Sequence, residues 1–68
     1  MKLLDVVALL QDLPEHGLIQ GQVGTVVERL PPDAYEIEFS DEQGRTYASV
    51  GVPSDKLIVL HYQPAEAA

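Results

Sequence analysis

Residues 34–52 read AYEIEFSDEQGRTYASVGV, and the fold turns on how they are read. In AYEIEFS (34–40), Tyr35, Ile37 and Phe39 fall on one face of an extended chain. Glu36, Glu38 and Ser40 fall on the other. Such two-residue alternation is the mark of a strand with one dry and one wet face. DEQG (41–44) reads as a tight turn ending in Gly44, and RTYASVGV (45–52) as the returning strand. Two strand runs around a short glycine-bearing turn make a hairpin.

Working outward from the hairpin, VGTVVERL (23–30) is a strand, with Val23, Val26 and Val27 supplying β propensity. PPD (31–33) is a turn, because two prolines cannot sit in a central ladder. On the other side, PSDK (53–56) reads as a short helical turn. Pro53 fixes φ there, and Ser54 or Asp55 is expected to cap the turn with its side chain. LIVLHY (57–62) is the last strand, and QPAEAA after it has nothing to bury. LPEHGLIQGQ (13–22) is a loop punctuated by Pro14, Gly17 and Gly21, with Leu18 or Ile19 expected to fold inward as a plug. Gly21 and Gly24 are expected to turn the chain, and Val23 and Val26 to anchor it. Residues 3–13 are ambiguous. Leu3, Val7 and Leu10 have helical spacing, yet Val6 and Val7 are β-branched and Pro14 ends the run. A strand suits the rest of the chain better.

Five short strands joined by turns predict an all-β domain, a small antiparallel barrel that limits exposed edges. Its expected extent is residues 1–63, with residues 64–68 as a disordered tail. At 68 residues there is room for one domain. A domain of that size buries only ~60% of its unfolded surface. No cysteine is present to staple it or bind a metal through thiolate. No secretory signal or membrane-length apolar run is visible, so a cytoplasmic protein without a membrane partner is expected.

Eleven acids face four bases, a net charge of −7. The bases, Lys2, Arg29, Arg45 and Lys56, are spread along the chain. Nucleic-acid binding rests largely on neutralising phosphates with such residues, so nucleic acid is an unfavoured partner. The charge suits a basic protein partner or simple solubility.

Asp33, Glu36, Glu38, Asp41 and Glu42 place five of the eleven acids within ten residues. Glu36 and Glu38 share a face ~6.5–7 Å apart. Arg45 is placed to pair across the hairpin with one of them. Tyr47 sits on the strand opposite Tyr35, and exposed tyrosine favours interfaces. Glu15 and His16 decorate the first loop. Together these eight residues form the candidate partner-binding set, an acidic ridge plus a loop. A solvated outer face explains the same acids, since alternation demands polar residues there. No catalytic residue, cofactor or metal ligand is expected. Ser40, Ser49 and Ser54 lack a nucleophile-elbow setting, the glycines lack phosphate-loop spacing, and His16 and His61 have no neighbour at ligand spacing.

Three resemblances bear on this. VPSDKL (52–57) with Gly51 resembles the segment before the last strand of SH3 domains. Asp55 and Lys56 replace its Asn-Tyr pair, and tryptophan is absent. The resemblance therefore implies the SH3-like fold without proline-peptide recognition. Gly21, Gly24 and Val26 are similar in placement to the KOW motif of ribosomal and transcription-factor barrels. Glu15, His16 and Gln20 stand where that motif has basic residues. DVVALLQDLPEHGLIQGQVGTVVE, AYEIEFSDEQGRTYA and DKLIVL resemble, over nearly the whole chain, a family of small bacterial domains of unknown function common in cyanobacteria. That resemblance implies an SH3-like barrel and no catalytic residue. It also implies, for some members, a gene pairing in the manner of toxin and antitoxin. The expectation is a non-enzymatic small acidic protein-binding module, an antitoxin-like or accessory partner that covers a basic surface of a cognate protein such as a toxin encoded beside it. The alternatives are a KOW-like RNA- or ribosome-associated barrel and an SH3-like accessory subunit of an oxidoreductase complex.

Overall fold

Strands form where β-branched and alternating residues occur: β1 (Val6–Leu9), β2 (Val23–Leu30), β3 (Ala34–Ser40), β4 (Thr46–Pro53) and β5 (Leu57–Val59). They make one antiparallel sheet in the order β4-β3-β2-β1-β5. The computed structural model describes residues 1–64. Residues 65–68, most of the expected tail, lie outside the described residues. The ambiguous N-terminal run resolves as strand over Val6–Leu9, where the β-branched pair sits. Two single 3-10 turns, Pro14–His16 and Ser54–Lys56, are the described helical segments. No helix among them is long and apolar enough to cross a membrane.

One buried cluster takes side chains from every strand: Val7, Leu9, Val26, Ile37, Phe39, Val50, Val52 and Leu57. Tyr35 packs against it, as its phase with Ile37 and Phe39 requires. No second sheet or long helix covers this face among the described residues, so the sheet must curl over its own core. Leu13 and Leu18 close one end of it. Leu13 N–H donates to the Leu18 carbonyl at 2.8 Å, and Leu18 N–H returns the bond at 3.2 Å. Gly17, at φ 70°, makes the intervening reversal. Leu18 is thus the plug, while Ile19 points outward.

Three local expectations change. Gly21 does turn the chain, at φ 91°, but Gly24 lies buried inside β2 and turns nothing. A Cβ there would stand 2.6 Å from Ile37 Cγ2 and 3.0 Å from Phe39 Cδ1. Gly24 is glycine because neighbouring side chains occupy its missing one. Val26 anchors the strand in the core, whereas Val23 lies on the exposed outer face. The turn before β5 has no side-chain cap from Ser54 or Asp55. The Ser54 N–H instead donates to the Asp33 carbonyl at 2.8 Å, tying this turn to the β2–β3 connection.

The sheet contains two bulges. Val26 pairs with Ile37 and Glu28 with Glu36, leaving Val27 as an extra residue on β2. Phe39 pairs with Ala48 and Ser40 with Thr46, leaving Tyr47 as an extra residue on β4. Bulges re-aim the side chains around them.

Candidate functional site

Three carboxylates share the outer face of the sheet at β2 and β3. Glu36 and Glu38 project from β3 away from the core, half-buried between their neighbours. Across β4, Glu36 faces Gly51 and Glu38 faces Ser49. Ser49 Oγ donates to Glu36 Oε2 at 2.7 Å, fixing that carboxylate toward β4. Across β2, Glu38 faces Thr25 and Glu36 faces Glu28. In an unbroken ladder Val27 would stand opposite Glu36; the bulge moves it aside and brings in Glu28. Glu28 was not part of the expected set, and nothing in the alternation of VGTVVERL marks it.

No base lies within ion-pair distance of Glu28, Glu36 or Glu38 among the described residues. Two of the four bases are engaged elsewhere: Lys2 with Asp5 at 2.6 Å and Arg45 with Asp41 at 3.4 Å. The Asp5 carboxyl is held below the usual carboxylate range, first by the hydrogen bond from the Lys2 ammonium. Arg29 pairs with Tyr35 in the ladder and so belongs to the opposite face from Glu28.

The rest of the expected set disperses. Asp41 builds the hairpin turn: its Oδ1 accepts the Gln43 and Arg45 N–H groups, each at 2.9 Å. With Arg45 beside it, Asp41 is a partnered turn residue, and the pairing expected of Arg45 falls on it. Asp33 lies at the far end of β3, roughly 26 Å of extended chain from Asp41. The five acids close in sequence are therefore not one patch. Glu42 is exposed on the turn. Tyr47 is half-exposed and acts as a strut. Its hydroxyl accepts from Gln22 Nε2 at 3.0 Å, and its ring lies 6.4 Å from that of Phe39. It thus ties the first loop to β4. Glu15 and His16 share the first 3-10 turn and approach each other at 4.0 Å. No hydrogen bond or ion pair joins them to the outer-face acids among the described residues.

No three His, Asp or Glu side chains converge as a metal site requires, among the described residues. A concavity runs between residues 1–6 and 59–64, and no residue of the expected set lines it.

A family model described as a domain of unknown function, DUF4926, matches residues 3–59. The chain belongs to the DUF4926 family. No curated protein and no solved structure matches it. Membership in DUF4926 assigns no role to any residue. The match does span all five strands, so the outer-face acids lie within the part of the chain that defines the family.

Proposed function

We propose that this DUF4926 domain is a non-enzymatic protein-binding module whose outer β2–β3 face takes a basic surface of a cognate protein. The observation that carries this reading is Glu28 set directly opposite Glu36, with Glu38 beside them and no base at ion-pair distance among the described residues. Like charges directly opposite on paired strands are destabilising, on a scale of roughly 0.2–1 kcal/mol per pair. A small domain has little stability to spare for that. A cationic partner would relieve it, speed encounter and exclude wrong partners. The same charge repels phosphate, which weighs against RNA as the ligand.

The strand order, with β5 returned beside β1, supports an SH3-like barrel as the scaffold of this module. A cytoplasmic antitoxin-like role, with the partner encoded beside it, fits the same chemistry. The test is affinity capture from the native cell with the wild-type domain and with Glu28, Glu36 and Glu38 all changed to Gln. The wild type should retain a basic protein that the triple variant and high salt release. Capture of the same protein by both forms, or of none, ends this reading. Thermal unfolding of the variant confirms that it is folded.

A further inference from the structure

The sheet leaves two edges, and they differ. β5 has three residues, whereas β4 has eight. Natural edge strands are commonly guarded by charge, brevity or proline, because their unpaired backbone groups template further pairing. Thr46–Pro53, TYASVGVP, carries no charged residue, and its only proline is the last residue.

Hydrogen bonding fixes which backbone groups face outward. Val26 gives its N–H to the Asp5 carbonyl at 2.9 Å and accepts the Leu4 N–H at 2.7 Å, so its backbone faces the β1 side. Opposite it, Ile37 must then turn its backbone away from β2 and bond Val50 on β4. In an antiparallel ladder the bonded and non-bonded pairs alternate. Ser49 and Gly51 therefore present their N–H and C=O groups outward. No backbone hydrogen bond from another segment meets them among the described residues.

These two residues also occupy the outer face beside the acids. Gly51 has no side chain, and Glu36 Oε1 lies 3.7 Å from where its Cβ would stand. The Glu36 carboxylate thus borders the open edge. A strand added to β4 would lie about 9.6 Å from β3, two strand spacings away. Its residues opposite Ser49 and Gly51 would project over the outer face, where Lys or Arg reaches toward Glu36 and Glu38 across two small residues. Residues between them would face the side of Val50 and Val52. A second copy of this chain is a poorer occupant: it offers Ser49 and Gly51 again, with no cation for Glu36.

We propose that the β4 edge accepts an extended segment of a partner in antiparallel pairing, with Lys or Arg at alternate positions. This rests on the basic-partner reading above and adds the partner's conformation and pattern. The mode is strand addition, in which backbone bonds supply affinity and alternate side chains specificity.

The probe is a short synthetic peptide alternating Arg and Val, titrated against the domain. Its comparisons are an isomer of the same composition with the arginines grouped, and forms N-methylated at the Arg or at the Val amides. In antiparallel pairing the Arg amides face β4. Methylating them should weaken binding at least tenfold, and methylating the Val amides should leave it within threefold. Ser49→Pro removes one outward N–H and should also weaken binding at least tenfold, while Ser49→Ala should not. Should Ser49→Pro fail to fold, the methylated peptides decide the matter on the wild-type protein. Equal binding of both isomers, insensitive to methylation and lost only with Glu28, Glu36 and Glu38 changed to Gln, overturns strand addition and leaves the acidic-face reading standing. No binding of any basic peptide overturns both. A dimer in sedimentation that Ser49→Pro dissociates shows the edge pairing with itself and overturns the proposal.

Discussion

Gly24→Ala tests the packing of the sheet at its tightest point. The added Cβ would meet Ile37 Cγ2 at 2.6 Å, the Glu38 carbonyl oxygen at 3.0 Å and Phe39 Cδ1 at 3.0 Å. Carbon atoms prefer separations of ~3.5–4.0 Å, so the closest contact falls short by about 1 Å. Relief is not readily available. Ile37 is fully buried, and its branched Cβ holds χ1 stiffly. Glu38 O belongs to a backbone packed between β2 and β4. Inserting carbon into a well-packed core costs about 1–3 kcal/mol. Three contacts, one of them with backbone, place this case at about 2–3 kcal/mol. Total stability for a chain of this length is about 3–10 kcal/mol. The melting temperature should fall by roughly 10–20 °C.

Far-UV circular dichroism against temperature and urea measures it. The midpoint should drop with little change in the urea slope, as expected when native packing alone is altered. Gly21→Ala is the contrasting control. Nothing lies within 4 Å of its added Cβ, but φ is 91°, so its cost of about 1 kcal/mol comes from backbone strain alone. Ile37→Ala removes the clashing methyl. Adding the Gly24 methyl to that variant should be milder than in the wild type by about 1–2 kcal/mol, a coupling expected only for touching residues. A Gly24→Ala protein within 0.5 kcal/mol of wild type, or a strictly additive double variant, refutes the close-approach account.

Three further outcomes follow from individual contacts. Asp41→Ala removes the acceptor for two backbone N–H groups and should cost about 1 kcal/mol in urea unfolding, without weakening capture of a basic partner. Glu28→Gln relieves the opposition to Glu36 and should raise stability by up to ~1 kcal/mol at low ionic strength, a gain that shrinks as salt screens the pair. Because Lys2 lowers the Asp5 pKa on folding, that pair stabilises the fold above the ordinary carboxylate pKa, and the contribution is lost as pH falls through the folded value. Asp5→Asn should thus separate from wild type in neutral melts and merge with it in strong acid.

The strands were legible wherever burial enforces a simple period. Tyr35, Ile37 and Phe39 alternate because each second residue of β3 must enter the core, and a one-residue slip would expose all of them. That Leu18 or Ile19 would plug the core was legible for a related reason: a loop rich in turn residues has few apolar side chains to offer, and the structure selects Leu18. Gly24 was not. A glycine that relieves a turn and one that yields space to a neighbour look alike in one dimension, and only the Ile37 and Phe39 contacts separate them. Asp41 was grouped with Glu36 and Glu38 because sequence shows charge and not partners. Its carboxylate is spent on the turn and on Arg45.

The same limit explains the composition of the candidate site. A bulge is decided by how two strands fit against each other, so neither strand's own pattern reveals it. On β2 one extra residue takes Val27 out of the row and sets Glu28 against Glu36, turning an apolar neighbour into a like charge. On β4 one extra residue brings Tyr47 against Phe39 and into reach of Gln22, turning an interface candidate into a strut. Both slips leave the core alternation of β3 intact. Purely structural pressure on the core therefore does not require Glu28 at that position: valine opposite Glu36 would serve the ladder at least as well. An acid placed there by register, beside an uncharged edge and with no base at ion-pair distance among the described residues, is the feature the proposed basic partner would answer.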